Sequence, residues 1–257
     1  MVKVIFSDFD NTMLNYYSDN NYFDDYQIGV LSKLKQRGLK FCIVTGRSVT
    51  FFNRFPNLMN VVDYIIGSNG ACIYDVKNDK YIYQKFIGDN ELNKLIYYSL
   101  EHNYSFLLNC LNKRYQCGEY DSIGVNKYED GNHYDCEQMI ISFKKSDSDE
   151  VARFVQYLNN IIVNNATEWD DKYSVDINLK GVSKGVAVQW LYEKLDIKKE
   201  DTVGFGDGSN DVSLFGVVGK SVSVENANSN IKAQADDVTL SCEDYGIYKY
   251  IEDNILK

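Results

Sequence analysis

The sequence predicts an α/β protein: a Rossmann-like, three-layer core built on a parallel sheet, with an α+β cap inserted into it. Three observations carry that prediction. Short apolar runs rich in β-branched residues end in polar clusters, as strands buried on both faces of a parallel sheet do. Segments of helical spacing separate those runs, which is the βαβ rhythm. The rhythm breaks near residue 83 and resumes at 184, so residues 1–82 and 184–257 read as one core and 83–183 as a domain inserted into it.

Residues 2–6 form the first predicted strand, followed at once by Ser7-Asp8-Phe9-Asp10-Asn11-Thr12. Residues 15–25 are polar and acidic and read as a loop. Ile28, Leu31 and Leu34 recur at helical spacing, with Gly38 as the stop. Residues 39–44 are a second strand running into Thr45-Gly46-Arg47, and a helix carrying Phe51, Phe52 and Phe55 is cut by Pro56. Residues 64–67 are a third strand, ending in Ser68-Asn69-Gly70-Ala71. In the insertion, Leu92, Leu95, Ile96 and Leu100 mark a helix, 106–108 a strand, 112–136 hairpins and loops, and 139–143 a firmer strand. A helix with Val151, Phe154, Val155 and Leu158 follows the candidate caps Ser146 and Asp147, and Val175, Ile177 and Leu179 alternate as a half-exposed strand. Ser183 then caps a helix with Ala187, Trp190, Leu191 and Leu195. A strand at 202–205 leads into Gly206-Asp207-Gly208-Ser209-Asn210-Asp211, and a short helix, a strand at 221–224 and two further helices complete the chain.

With 44% hydrophobic and 25% charged residues, the chain has the core material of an ordinary globular protein. A net charge of -10 speaks against a nucleic-acid partner, which needs clustered Lys and Arg. It leaves room for a phosphorylated substrate, because a pocket's local field can oppose the net charge. Six cysteines without a C-x-x-C pair read as free thiols of a reducing compartment. No basic leader precedes an apolar stretch, and no run approaches the roughly 20 apolar residues of a membrane span. A cytoplasmic protein without a membrane partner is expected.

The polar clusters carry the chemistry. Ligands of open α/β sheets bind beyond the carboxyl ends of the strands, where Asp8 and Asp10, Thr45, and Asp207 with Asp211 stand, while Lys184 opens a helix. Meeting in one crevice, those carboxylates repel unless a cation is present, and hard oxygen donors point to Mg²⁺. Lys184 and Thr45 offer a charge and a hydroxyl to a substrate anion, and Gly46 lets a backbone N–H approach it. These parts suit phosphoryl transfer, in which positioning and charge neutralisation carry most of the catalysis. Asp8 reads as the nucleophile that forms an acyl-phosphate, and Asp10 as the acid and then the base of the two half-reactions. Singly, each cluster has a plain alternative: a helix cap, a turn, a surface lysine. Four in this order leave little to coincidence. His102 and His133 are the only histidines, so a histidine-based mechanism has little to stand on.

Asp8-Phe9-Asp10-Asn11-Thr12, Val44-Thr45-Gly46-Arg47, Lys184-Gly185 and Gly206-Asp207-Gly208-Ser209-Asn210-Asp211 resemble the four motifs of the haloacid dehalogenase superfamily. Ser68-Asn69-Gly70-Ala71 resembles a segment of its Cof-type, sugar-phosphatase-like group with a large α/β cap, subclass IIB. The resemblance implies Asp8 as nucleophile and Mg²⁺ ligand, Asp10 as acid/base with its backbone carbonyl on the metal, Asp207 as the second carboxylate ligand, and Asp211 as the holder of metal-bound water. It implies Thr45 and Lys184 as phosphate-binding, and Arg47, Asn69 and Asn210 as pocket residues. Asn11 stands where the family more often has Gly, and Asn tolerates the left-handed backbone such a turn needs. The insertion matches in position and size but has no diagnostic motif. Its Tyr-rich stretch from Tyr104 to Tyr134 is a candidate for the cleft mouth, with exposed hairpin tyrosines as the alternative.

The expected activity is that of a Mg²⁺-dependent phosphatase, a phosphoric monoester hydrolase acting on small phosphorylated metabolites such as sugar phosphates. One alternative is a phosphomutase on the same fold, told apart by isomerised product instead of free phosphate. The other is a catalytically silent metabolite-binding protein, against which the retained Asp10 speaks.

Overall fold

The computed structural model describes residues 2–14, 23–118 and 125–257. The first part of the chain forms β1 (Val4–Ser7), α1 (Asp25–Gln36), β2 (Lys40–Val44), α2 (Pro56–Met59), β3 (Tyr64–Gly67), β4 (Cys72–Asp75) and β5 (Lys80–Gln84). Next come α3 (Asp89–Glu101), β6 (Ser105–Cys110), β7 (Lys113–Cys117), β8 (Asn126–Lys127), β9 (Gln138–Lys144), α4 (Ser148–Tyr157), β10 (Ile161–Trp169) and β11 (Lys172–Leu179). The chain ends with α5 (Lys184–Lys194), β12 (Thr202–Gly206), α6 (Val212–Phe215), β13 (Lys220–Val224), α7 (Ser229–Lys232), β14 (Asp237–Thr239) and α8 (Gly246–Asn254).

Eight strands make the core sheet, in the order β14-β13-β12-β1-β2-β3-β4-β5. It is parallel from β14 to β3 and turns antiparallel through β4 and β5. β1 lies at its centre between β12 and β2, and all four of its residues are buried. That is why residues 4–6 are uniformly apolar instead of alternating. The inserted segment forms a second sheet, β10-β11-β9-β6-β7-β8, antiparallel except for the short β7–β8 pair. Each sheet has its own hydrophobic core. In the second, Phe106, Leu108, Met139, Ile141, Val175 and Ile177 pack with Leu92, Leu95, Val151 and Val155 of α3 and α4. The fold is a Rossmann-like core with an inserted α+β cap.

Differences from the sequence reading have local causes. Helix α1 starts at Asp25, because Asp24 accepts from the Gln27 backbone N–H while the Gln27 side chain reaches back to Asp24, a capping box. The rest of the expected loop, 15–22, lies outside the described residues. Phe51 and Phe52 sit in a 3₁₀ turn, and Pro56 opens α2, where its missing N–H costs nothing. Strands β5, β10 and β14 were not anticipated as strands. Residues of β5 are half-buried at best on the sheet's edge, and a bulge between Val163 and Asn165 breaks the alternation of β10.

Candidate active site

Between the two carboxylates of the first motif, Phe9 points away from the site, into a cluster of aromatic rings. Its ring centroid lies 4.9 Å from Phe52 and 5.8 Å from Phe51, edge to face. The buried anchor leaves Asp8 and Asp10 projecting from the carboxyl end of β1. The Asp8 backbone N–H donates to the Phe205 carbonyl at 2.9 Å, so the loop after β1 runs beside the loop after β12. Asn11 adopts the left-handed backbone expected of it, at φ 56°. Thr12 Oγ1 donates to Asp207 Oδ1 at 2.8 Å and ties the first motif to the fourth.

Lys184 opens α5, which is capped by Ser183, and its side chain is 1% exposed. Its Nζ donates to Asp8 Oδ1 and to Asp211 Oδ1, both at 2.6 Å. Asp211 Oδ2 accepts the backbone N–H groups of Asp207 and Gly208 at 3.1 and 2.9 Å, so the acidic loop folds around its own last residue. Gly185 is needed for this packing: a Cβ there would stand 2.1 Å from the Ser213 carbonyl oxygen of α6. On the opposite side, Arg47 grips Asp10 bidentately, through Nε to Oδ2 at 2.8 Å and Nη2 to Oδ1 at 2.6 Å. Its guanidinium lies 4.0 Å from the Phe51 ring centroid, on a surface that favours a flat cation. Thr45 is buried, and its Oγ1 accepts the Arg47 backbone N–H at 3.1 Å, leaving its own O–H to donate.

The site is short of positive charge. Asp8, Asp207 and Asp211 each bring a carboxylate oxygen within 4.8 Å of the others. Burial, and then the charges of Asp211, Asp207 and Asp10, push the Asp8 carboxyl well above its usual range, with Lys184 opposing them. Burial and Asp211 raise Asp207 as well, against the hydrogen bond from Thr12. Burial alone would lower Lys184, but Asp211 and Asp8 outweigh it and hold its ammonium above the usual value. One buried ammonium leaves this acid cluster under-compensated. Oxygen-only donors at that spacing fit a hard divalent cation.

A cleft of about 420 Å³ opens above these groups. Asp8, Asp10, Gly46, Arg47, Asp207 and Asn210 line it from the core, and Asn109, Arg114, Asn165 and Asp176 from the cap. Of the sequence candidates, Thr45, Lys184 and Asp211 lie buried behind the first row. Asn69, expected in the pocket, is instead buried beneath it: it accepts from Asn210 Nδ2 and donates to Asp176 Oδ2, both at 3.0 Å. The Tyr-rich stretch is also corrected. Tyr115, Tyr128 and Tyr134 pack into the cap's core, and it is Asn109 and Arg114 that reach the cleft. Residues 119–124 of that stretch lie outside the described residues. Asn109, Arg114, Asn165 and Asp176 were not singled out from the sequence, and Thr12 was read only as the end of the first motif, with no role of its own. The one available signal was the alternation of Val175, Asp176 and Ile177, which places Asp176 on the polar face of its strand.

Residues 5–251 match the haloacid dehalogenase-like hydrolase family. The chain belongs to that family. As a haloacid dehalogenase-like hydrolase it is similar to a 5-amino-6-(5-phospho-D-ribitylamino)uracil phosphatase of Bacillus subtilis, 24% identical and aligned over 99% of this chain and 96% of that one. Among solved structures, a phosphatase of the haloalkanoate superfamily from Bacteroides thetaiotaomicron superposes with a TM-score of 0.81 at 22% identity, over 98% of this chain and 94% of that one. A subclass IIB sugar phosphatase superposes with a TM-score of 0.80 at 22% identity, over 98% of both chains. At such identities the superpositions establish a shared fold, cap included.

Proposed function

We propose that this chain is a Mg²⁺-dependent phosphatase, a phosphoric monoester hydrolase that cleaves small phosphorylated metabolites, sugar phosphates foremost, through an aspartyl-phosphate on Asp8. One observation carries the reading: Asp8 is pinned by Lys184 beside Asp207 and Asp211, with Asp10 held by Arg47 on the same cleft. The family and its phosphatase relatives support it.

Asp8 attacks phosphorus and the ester oxygen leaves, taking a proton from Asp10; Asp10 then takes a proton from the water that opens the acyl-phosphate. Arg47 holds both oxygens of Asp10 in this structure, so Asp10 gives up at least one of these bonds to carry the proton it donates in the first step. The free O–H of Thr45, the backbone at Gly46 and the charge of Lys184 face the phosphoryl oxygens. Asp8, the Asp10 carbonyl and Asp207 are the residues that would hold Mg²⁺, with Asp211 behind them, and the bound ion supplies charge neutralisation for the transferred group. Among the described residues no helix is long and apolar enough to cross a membrane, and six free cysteines support a cytoplasmic assignment.

Phosphate release from p-nitrophenyl phosphate and a metabolite panel, with Mg²⁺ and with chelator, tests the reading. Release that needs the metal is expected. Release that persists in chelator contradicts the metal assignment, and isomerised product without free phosphate shifts the reading to a mutase.

A further inference from the structure

Where the cap roofs the cleft, its sheet is polar. Asn109, Arg114, Asn165, Thr167 and Asp176 face the space, and Ile140 is the one apolar residue among the described cap residues there. A hydrocarbon leaving group calls for an apolar wall; this wall offers donors and acceptors. The bulge in β10 builds part of it. Before the bulge Ile161 and Val163 face the α4 side, and after it Ala166 and Glu168 do. The extra residue shifts the alternation by one and turns Asn165 and Thr167 toward the cleft.

Asp176, on the neighbouring β11, is the one carboxylate that the described cap residues bring to the cleft. A Cβ added to Gly46 would lie 3.4 Å from its Oδ2, so this oxygen stands directly over the phosphate loop. Asn69 holds the carboxylate from behind and is itself held by Asn210. Burial raises the Asp176 carboxyl to about 6 against the opposing hydrogen bonds of the Asn69, Asn165 and Gln138 amides, so much of it is ionised at neutral pH. An anion there repels a phosphoryl group and attracts a hydroxyl. Its partner is therefore the leaving group, close to the ester.

We propose that Asp176, with Asn165 beside it, is a specificity-determining residue that accepts a hydrogen bond from a hydroxyl near the phosphate ester, selecting sugar and polyol phosphates over hydroxyl-free esters. The inference rests on the phosphatase reading. Two substrate pairs test it in wild type, Asp176→Asn and Asn165→Ala: glucose 6-phosphate against cyclohexylmethyl phosphate, and sorbitol 6-phosphate against hexyl phosphate. Wild type is expected to favour the hydroxylated member in kcat/KM, and Asp176→Asn to cut that preference by about tenfold or more, through KM more than kcat. Asn165→Ala cuts it by less and carries the comparison alone if Asp176→Asn does not fold. A preference that is absent in wild type, or that survives intact in the folded variants, overturns the assignment. A wild type that releases phosphate from none of the four esters overturns the phosphatase reading, and this inference with it.

Discussion

Lys184 donates to two buried carboxylates at once, and the balance of the acidic cluster depends on it. Each ion pair was costly to desolvate, yet removing the cation leaves Asp8 and Asp211 facing each other without it. Lys184→Met is expected to lower stability by about 3–5 kcal/mol in urea unfolding without added metal. Unchanged stability would mean that the cluster is not held together by charge. The same scale explains Asn11, a residue tolerant of φ 56° at a turn where a β-branched side chain would be strained. It explains Phe9 as well, whose burial among Phe23, Phe51, Phe52 and Phe55 aims the flanking carboxylates.

At the scale of elements, α5 must come close to α6 for Lys184 to reach the loop after β12, and Gly185 makes that approach possible. Gly185→Ala is expected to push the helices apart, costing about 1–3 kcal/mol and lowering turnover together, as thermal unfolding and phosphate release would record. A stable, fully active Gly185→Ala protein would contradict the packing argument. Strands β1, β2, β3 and β12 were legible in the sequence because burial on both faces left them largely without polar residues, and β13 because valines recur at every second position between small serines. The polar clusters at their ends gave away Asp8, Asp10, Thr45 and Asp207 for the same reason: a polar residue directly after a buried strand stands out. Edge strand β5 and bulged β10 lack any such contrast. Asp176 and Arg114 were illegible as site residues, since alternation tells which face of a strand a side chain occupies and not what lies opposite. Only the approach of cap to core supplies that.

Across the whole molecule, cap and core meet at Ser68-Asn69-Gly70, three successive residues with positive φ. Asn178 Nδ2 donates to the carbonyls of Ser68 and Glu137 at 2.9 and 2.8 Å, and Ser68 Oγ donates to Glu137 Oε2 at 3.1 Å. Burial pushes the Glu137 carboxyl from 4.5 up to about 7, although hydrogen bonds from Cys72 and Ser68 oppose it. The folded chain thus holds this proton more tightly than the unfolded one. The stability it contributes is complete below pH 4.5 and is lost as pH rises through about 7. Glu137→Gln, a neutral isostere, is expected to remove that decline and to be the more stable protein at pH 8, by about 3 kcal/mol. Denaturant titrations across pH read this directly, and a decline that persists in the variant would contradict it.

The nucleophilic role of Asp8 is open to one direct observation. Rapid quench in acid during turnover of p-nitrophenyl phosphate with Mg²⁺, followed by peptide mass spectrometry, is expected to find a phosphoryl group on the peptide containing Asp8, and none in folded Asp8→Asn, whose phosphate release falls by a factor on the order of 10⁴ or more. A phosphoryl group on another residue, or an Asp8→Asn protein that still turns over at a comparable rate, would contradict the assignment of Asp8 as nucleophile.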